Sequence, residues 1–209
     1  MSEALIKENW TQLADHVSLD ATIQALAANG FNPLLVGSAA EAKQKVLEML
    51  PEGIDVFAAR SATLEAMGLA DEIDKSGRYI SIRQKLMSLN RETQSFEFRQ
   101  VSATPSYMVG SVHAVTEQGH VFVASFGGSQ LAPYVYGAQK VIWVIGTHKL
   151  VKDTDAAFRR IEEHSLPLES ERLQKAVGRP SEIAKILIFR KEVVANRITT
   201  ILVPEVLGF

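Results

Sequence analysis

The stretch that most constrains the fold runs from Ser111 to Lys149. Within it Val141-Ile142-Trp143-Val144-Ile145 is apolar at every position, the pattern of a strand covered on both faces. Such a strand predicts an α/β protein with a covered, mostly parallel sheet. It delivers Thr147, His148 and Lys149 at its carboxyl end, the edge where α/β sheets bind ligands. Upstream, the β-type runs Ser111–Thr116 and His120–Phe126 flank Glu117-Gln118-Gly119, and so short a glycine-containing break reads as a β-hairpin. Gly127-Gly128-Ser129-Gln130 follows, a loop whose glycines let the backbone approach a ligand and offer N–H groups to an anion.

A chain of 209 residues can bury a substantial core, so the expectation is a single domain. Twenty-two basic against 24 acidic residues leave a formal charge of −2, and no overall basicity points to nucleic acid or an anionic membrane. The sequence has no cysteine, which removes disulfides, thiol nucleophiles and cysteine-bound metal centres. The first eight residues are charged and lack an apolar signal core, and no run approaches the roughly 18 apolar residues of a membrane span. The expected address is the cytoplasm.

Residues 1–29 are expected to form a helical N-terminal extension, with two helices over residues 3–29. Ile6, Trp10 and Leu13 share one face, Leu19, Ile23 and Leu26 another, with Ser18 as cap between them. The core is assigned to residues 30–165. Phe31–Val36 reads as a strand, and Ser38-Ala39-Ala40-Glu41 has capping-box spacing for the next helix. Ile54–Ala58 is a second strand that stops at Arg60-Ser61-Ala62-Thr63-Leu64-Glu65. There Ser61 either caps a helix, the commoner case, or joins Thr63 in holding an anion at the helix start. Tyr79–Ile82 is a third strand, one helix spans Gln84 to about Val101, and Thr104-Pro105 ends it. Asp153 or Thr154 caps a later helix with Ala157, Phe158 and Ile161 inward and Arg159, Arg160, Glu162 and Glu163 solvated. Leu166-Pro167-Leu168 breaks into a further helix ending near Gly178. Ile183–Phe189 and Arg197–Val203, joined by Lys191–Asn196, read as a terminal strand pair, so residues 166–209 form a C-terminal helix and strand pair.

Walker, dinucleotide-binding, G-x-S-x-G and H-E-x-x-H signatures are all missing, which disfavours the common nucleotide, serine-hydrolase and zinc-protease chemistries. The five histidines include no pair at the i, i+4 spacing of helical metal ligands, so neither a metal nor another cofactor is expected. Glu117 is the only acid between Glu97 and Asp153. It is either a solvated turn residue or a carboxylate able to act as base or nucleophile. His113 reads as a packed, hydrogen-bonded residue. Ser61, Thr63, Ser125, Gly127, Gly128, Ser129, Gln130, His148 and Lys149 all fall at helix starts or strand ends. They are the candidate donors for a small anionic metabolite.

S-A-T-L-E-x-x-G at 61–68, V-H-A-V-T-E-Q-G-H-V-F-V-A-S at 112–125, the glycine-rich loop, Pro133 and V-I-W-V-I-G-T-H-K-L-V at 141–151 together resemble the lactate-utilisation (LUD) domain family. The order of these motifs is more specific than any one of them. The resemblance implies a fold similar to the sugar-phosphate isomerases and coenzyme A transferases, and a role in lactate or 2-hydroxy-acid utilisation. It puts Glu117 and Gly119 on the family's E-T-G, with Gln118 replacing the threonine. It further implies that Glu117 could serve an isomerase or acyl-transfer reaction, or that the chain is an accessory subunit of an iron–sulfur oxidoreductase. A homodimer is the expected assembly, with the apolar Val206-Leu207-Gly208-Phe209 contributing.

Overall fold

The structure, a computed structural model, describes residues 8–209. Its first helix, α1 (His16–Ala28), is capped by Asp15, whose carboxylate accepts from the Ser18 N–H at 2.8 Å. Among the described residues the expected pair of N-terminal helices is corrected to one. Ile6 lies outside the described residues, the segment holding Trp10 and Leu13 contains turns and no helix, and Ser18 sits inside α1. β1 (Asn32–Leu35) leads into α2 (Ala39–Met49). Here the Ser38 hydroxyl accepts from the Glu41 N–H, and the Glu41 carboxylate reaches back to accept from the Gly37 N–H at 2.7 Å. This reciprocal arrangement satisfies donors that a helix start leaves unpaired.

β2 (Asp55–Ala58) is followed by α3 (Ala62–Ala66), α4 (Leu69–Lys75), β3 (Ile80–Ser81), α5 (Ile82–Met87) and α6 (Ser95–Ala103). The single helix expected from Gln84 to Val101 is thus two. The Asn90 side-chain carbonyl accepts from the N–H groups of Glu92 and Thr93, a local turn that competes with helix continuation. β4 (Tyr107–Gly110), too short to show a period in the sequence, comes next, then β5 (Ala114–Thr116), β6 (Val121–Ser125), β7 (Lys140–Gly146) and β8 (Leu150–Val151). β5 and β6 pair antiparallel, as the hairpin reading requires. α7 (Thr154–Arg160), capped by Asp153, runs without a break through a π-helical turn, Ile161–Ser165, into α8 (Leu166–Val177). The expected interruption at Pro167 does not occur; the proline follows directly on the π turn, where the regular i→i−4 ladder has already given way. β9 (Lys185–Phe189) and β10 (Ile198–Val203) complete the chain.

Six strands form a parallel sheet in the order β1-β10-β7-β4-β2-β3, and four form a second sheet in the order β8-β5-β6-β9. β7 lies inside the first sheet, and its apolar run is covered on both sides. Ile142 and Val144 pack with residues of α2, α3 and α4, whereas Val141, Trp143 and Ile145 pack towards α1 and the second sheet. Trp143 is fully buried, with ring centroids 5.3 Å from Tyr134 and 5.2 Å from Phe189. The far face of the second sheet packs on α7 through Ala114, Phe122, Ala157 and Ile161.

The terminal strands are not a pair. β9 lies antiparallel to β6 in the second sheet, whereas β10 lies parallel between β1 and β7 in the first. The connection is no tight turn. It is pinned to the end of α1 by the Glu192 N–H donating to the Asn29 carbonyl at 2.8 Å. Every residue of β10 is buried, so the segment read as an addition beyond residue 165 supplies a central strand of the core.

Candidate functional site

A cavity of about 530 Å³ lies between the two sheets, walled by the chain following β2, β4, β6 and β7 and by α5 and α8. Lys149 forms part of its wall and is 1% exposed. Its ammonium nitrogen donates to Thr63 Oγ1 at 3.0 Å and to Ser111 Oγ at 3.1 Å. Thr63 Oγ1 in turn donates to the Leu207 carbonyl at 2.9 Å. Among the described residues no carboxylate lies within ion-pairing distance of Lys149. Burial, and next the positive charge of Arg160, hold its pKa well below the ordinary lysine range.

Arg160 is fully buried behind this wall. It donates to the His113 carbonyl at 2.6 Å and to Ser165 Oγ at 3.2 Å, while its Nε and second terminal nitrogen have no partner among the described residues. Burial lowers its pKa to about 10. The expectation of a solvated Arg160 is corrected: it faces inward beside Ala157 and Ile161, and the π turn brings Ser165 onto it. His113 borders the cavity and its Nδ1 accepts from the Ala124 N–H at 3.1 Å. Burial, with Lys149 and Arg160 nearby, depresses its pKa to about 3, so the ring is neutral near pH 7. Among the described residues no carboxylate pairs with Lys149 or Arg160, an arrangement that favours an incoming anion.

Around Lys149 the structure gathers most of the residues singled out in the sequence. Ser61, Thr63, Ser125, Gly127, Ser129 and Gln130 all line the cavity. Ser61 makes no capping hydrogen bond despite its place before α3, so the capping reading is not realised. Ser125 organises the glycine loop: its hydroxyl accepts from the Gly128 N–H at 2.9 Å and donates to the Gln130 side-chain carbonyl at 3.1 Å. Gly128 has φ +89 and is not among the lining residues. Its glycine is required by the backbone, since side chains disfavour that φ.

Two expected residues lie elsewhere. Glu117 does not line the cavity; its carboxylate accepts from Ser18 Oγ at 2.5 Å, tying the hairpin turn to α1. Gly119 beside it has φ +73 and backs onto the Ala25 backbone, where a Cβ would come within 2.7 Å. His148 is 2% exposed and turned away, its ring against Gly146. Burial, followed by the charges of Lys149 and Arg160, lowers its pKa to about 3.

Sequence reasoning missed Ser111, Arg160, Arg83 and Arg172. Arg83 and Arg172 line the cavity, but their charge is already engaged: Arg83 approaches Asp74 at 3.1 Å and Arg172 pairs with Glu169 at 2.7 Å. Arg160 had a signal, three residues after Ala157 and adjacent to Ile161 on the inward helical face. Its charged neighbours hid it. Ser111, read as the first residue of a strand, lies in the loop between β4 and β5, and nothing marked its hydroxyl.

Among the described residues no helix is long and apolar enough to cross a membrane, and no group of three or more histidines and carboxylates is placed to hold a metal ion.

No curated protein matches the chain. A crystal structure of a DUF162 family protein from Deinococcus radiodurans is similar to it with a TM-score of 0.57 and 12% identity, covering 92% of this chain and 99% of that one. At that identity the likeness speaks for a shared fold alone. The LUD domain family model matches residues 19–203, from α1 through the last residue of β10. With the match spanning both sheets and the cavity between them, the chain belongs to the LUD domain family.

Proposed function

We propose that the cavity binds a small anionic metabolite bearing a carboxylate or phosphate, and that the protein serves the utilisation of lactate or a related 2-hydroxy acid. The observation that carries this reading is Lys149, buried at the cavity wall on two hydroxyls and backed by Arg160, with no carboxylate in ion-pairing reach among the described residues. A buried amine with no counter-charge is held uncharged, and an anionic guest that lets it take up a proton gains an ion pair in return. The cavity volume of about 530 Å³ falls in the range of roughly 300–1,000 Å³ that holds small ligands. The family's link to lactate supports the metabolic direction.

Titration calorimetry against lactate, pyruvate, sugar phosphates and coenzyme A derivatives tests it. At least one ligand should bind and draw a proton onto Lys149, because the anion raises the lysine pKa. The measured enthalpy should then depend on the ionisation enthalpy of the buffer, and affinity should rise as pH falls. Lys149→Met should weaken that ligand by about 10- to 100-fold, the worth of one charge-assisted hydrogen bond. Silence across the panel rejects the reading.

A further inference from the structure

We propose that Lys149 forms an imine with 2-oxo acids that enter the cavity, an activity that rests on the anion-binding reading above and names its substrate class. The geometry has three parts. The Lys149 nitrogen reaches the cavity wall from the 3-10 turn Thr147–Lys149 after β7, an element anchored in the middle of the sheet. Its two partners are the hydroxyls of Thr63 and Ser111, at 3.0 and 3.1 Å. The Ser111 hydroxyl, unlike a carboxylate, can accept from an ammonium or donate to the lone pair of a free amine. An amine N–H still reaches Thr63 Oγ1, whose own proton goes to the Leu207 carbonyl, so the lysine is held in place in either protonation state. Third, the wall beside it is both polar and apolar: Ser61 and Gln130 can donate to a carboxylate, and Phe57 and Val112 can cover a short alkyl group.

A structural role for this lysine would call for a carboxylate partner, since buried ammonium groups are ordinarily paired. The absence of one within the described residues, together with the charge of Arg160, favours the uncharged amine. That is the form with a lone pair, and a desolvated lysine is a recognised nucleophile towards carbonyls. Oxidation of a 2-hydroxy acid yields the 2-oxo acid, which presents a carboxylate next to a ketone. With the carboxylate held by Ser61 and Gln130, the lysine lone pair is left to the ketone.

The step balances without an oxidant or reductant. The Nζ lone pair bonds to the carbonyl carbon while the C=O π pair moves onto oxygen. One proton passes from nitrogen to that oxygen, with Ser111 as relay, to give a carbinolamine. The C–O bond then breaks as the nitrogen lone pair forms C=N, and the oxygen leaves as water with the remaining amine proton. The net change is amine plus ketone to imine plus water.

The test is reductive trapping on the intact chain. The protein is incubated with pyruvate and sodium cyanoborohydride at neutral pH, and the adduct is located by peptide mass mapping. Lys149 should carry the reduced pyruvate adduct in excess over every exposed lysine, since each unit by which a pKa falls gives about tenfold more free amine. Lys149→Arg should lose it. If that variant does not fold, the wild-type map still decides: no adduct at Lys149, or an even spread over all lysines, overturns the proposal. Calorimetry with pyruvate separates the two failures. Binding without an adduct at Lys149 removes the imine and leaves the anion site, whereas silence across the whole ligand panel removes both.

Discussion

At the scale of single residues, the site is governed by buried bases. His113 and His148 have pKa values depressed to about 3 from 6.5, so between those values the unfolded chain holds protons that the folded chain refuses. Their contribution is present in full above pH 6.5 and is lost as pH falls towards 3, with each histidine adding a slope of about 1.4 kcal/mol per pH unit. Urea midpoints measured from pH 7 to pH 4 should fall accordingly, and His113→Gln should flatten the slope. An unchanged slope would show that the ring is not held neutral by the fold. Lys149, Ser61 and Gln130 were legible in the sequence because strand ends and helix starts can be placed from hydrophobic pattern, and polar residues there converge in α/β proteins. Glu117 was misplaced for a related reason: a hairpin tip is exposed in isolation, and only the packing of α1 against it shows that its carboxylate is occupied by Ser18.

Among the elements, the π turn Pro133–Gly137 is the one whose support is most concentrated. Arg197, buried at the start of β10, donates from its terminal nitrogen to the carbonyls of Pro133 and Tyr134 and from Nε to the Ala138 carbonyl, and it pairs with Glu192 at 2.7 Å. Arg197 thus ties together three carbonyls where the turn gives way to β7, adding to the bond Pro133 already accepts from the Ala138 N–H, while Glu192 balances its charge. Arg197→Met should destabilise the protein by about 3–5 kcal/mol, because it strands a buried carboxylate as well as the carbonyls. Chemical denaturation would measure the loss, and adding Glu192→Gln should recover part of it. Strands and helices of ordinary length were readable from their period. What the sequence could not show was partnership. β9 and β10 are both short and apolar, and adjacency along the chain suggested a pair, yet periodicity carries no information about which sheet a strand joins. β4, at four residues after Pro105, fell below the length at which any period is visible.

Over the whole molecule, the cavity depends on two sheets whose strands are drawn from both ends of the chain. β1 and β10 pair through Asn32 with Thr199 and Leu35 with Leu202, so the parallel sheet is complete only when distant segments meet. Truncation after Asn196 should therefore abolish cooperative folding and not merely trim the molecule, and circular dichroism with proton–nitrogen correlation spectra would show it. A truncated chain that kept a dispersed spectrum would contradict the central place given to β10. The position of that strand also bears on how the protein is made. On the ribosome, β1 and β7 emerge well before the segment that must slide between them, leaving a gap one strand wide with hydrogen-bonding edges on both sides. Until it is filled, the nascent protein is a ready acceptor for any extended peptide, including the same strand of a neighbouring copy, which makes strand exchange and chaperone dependence built-in hazards of its synthesis.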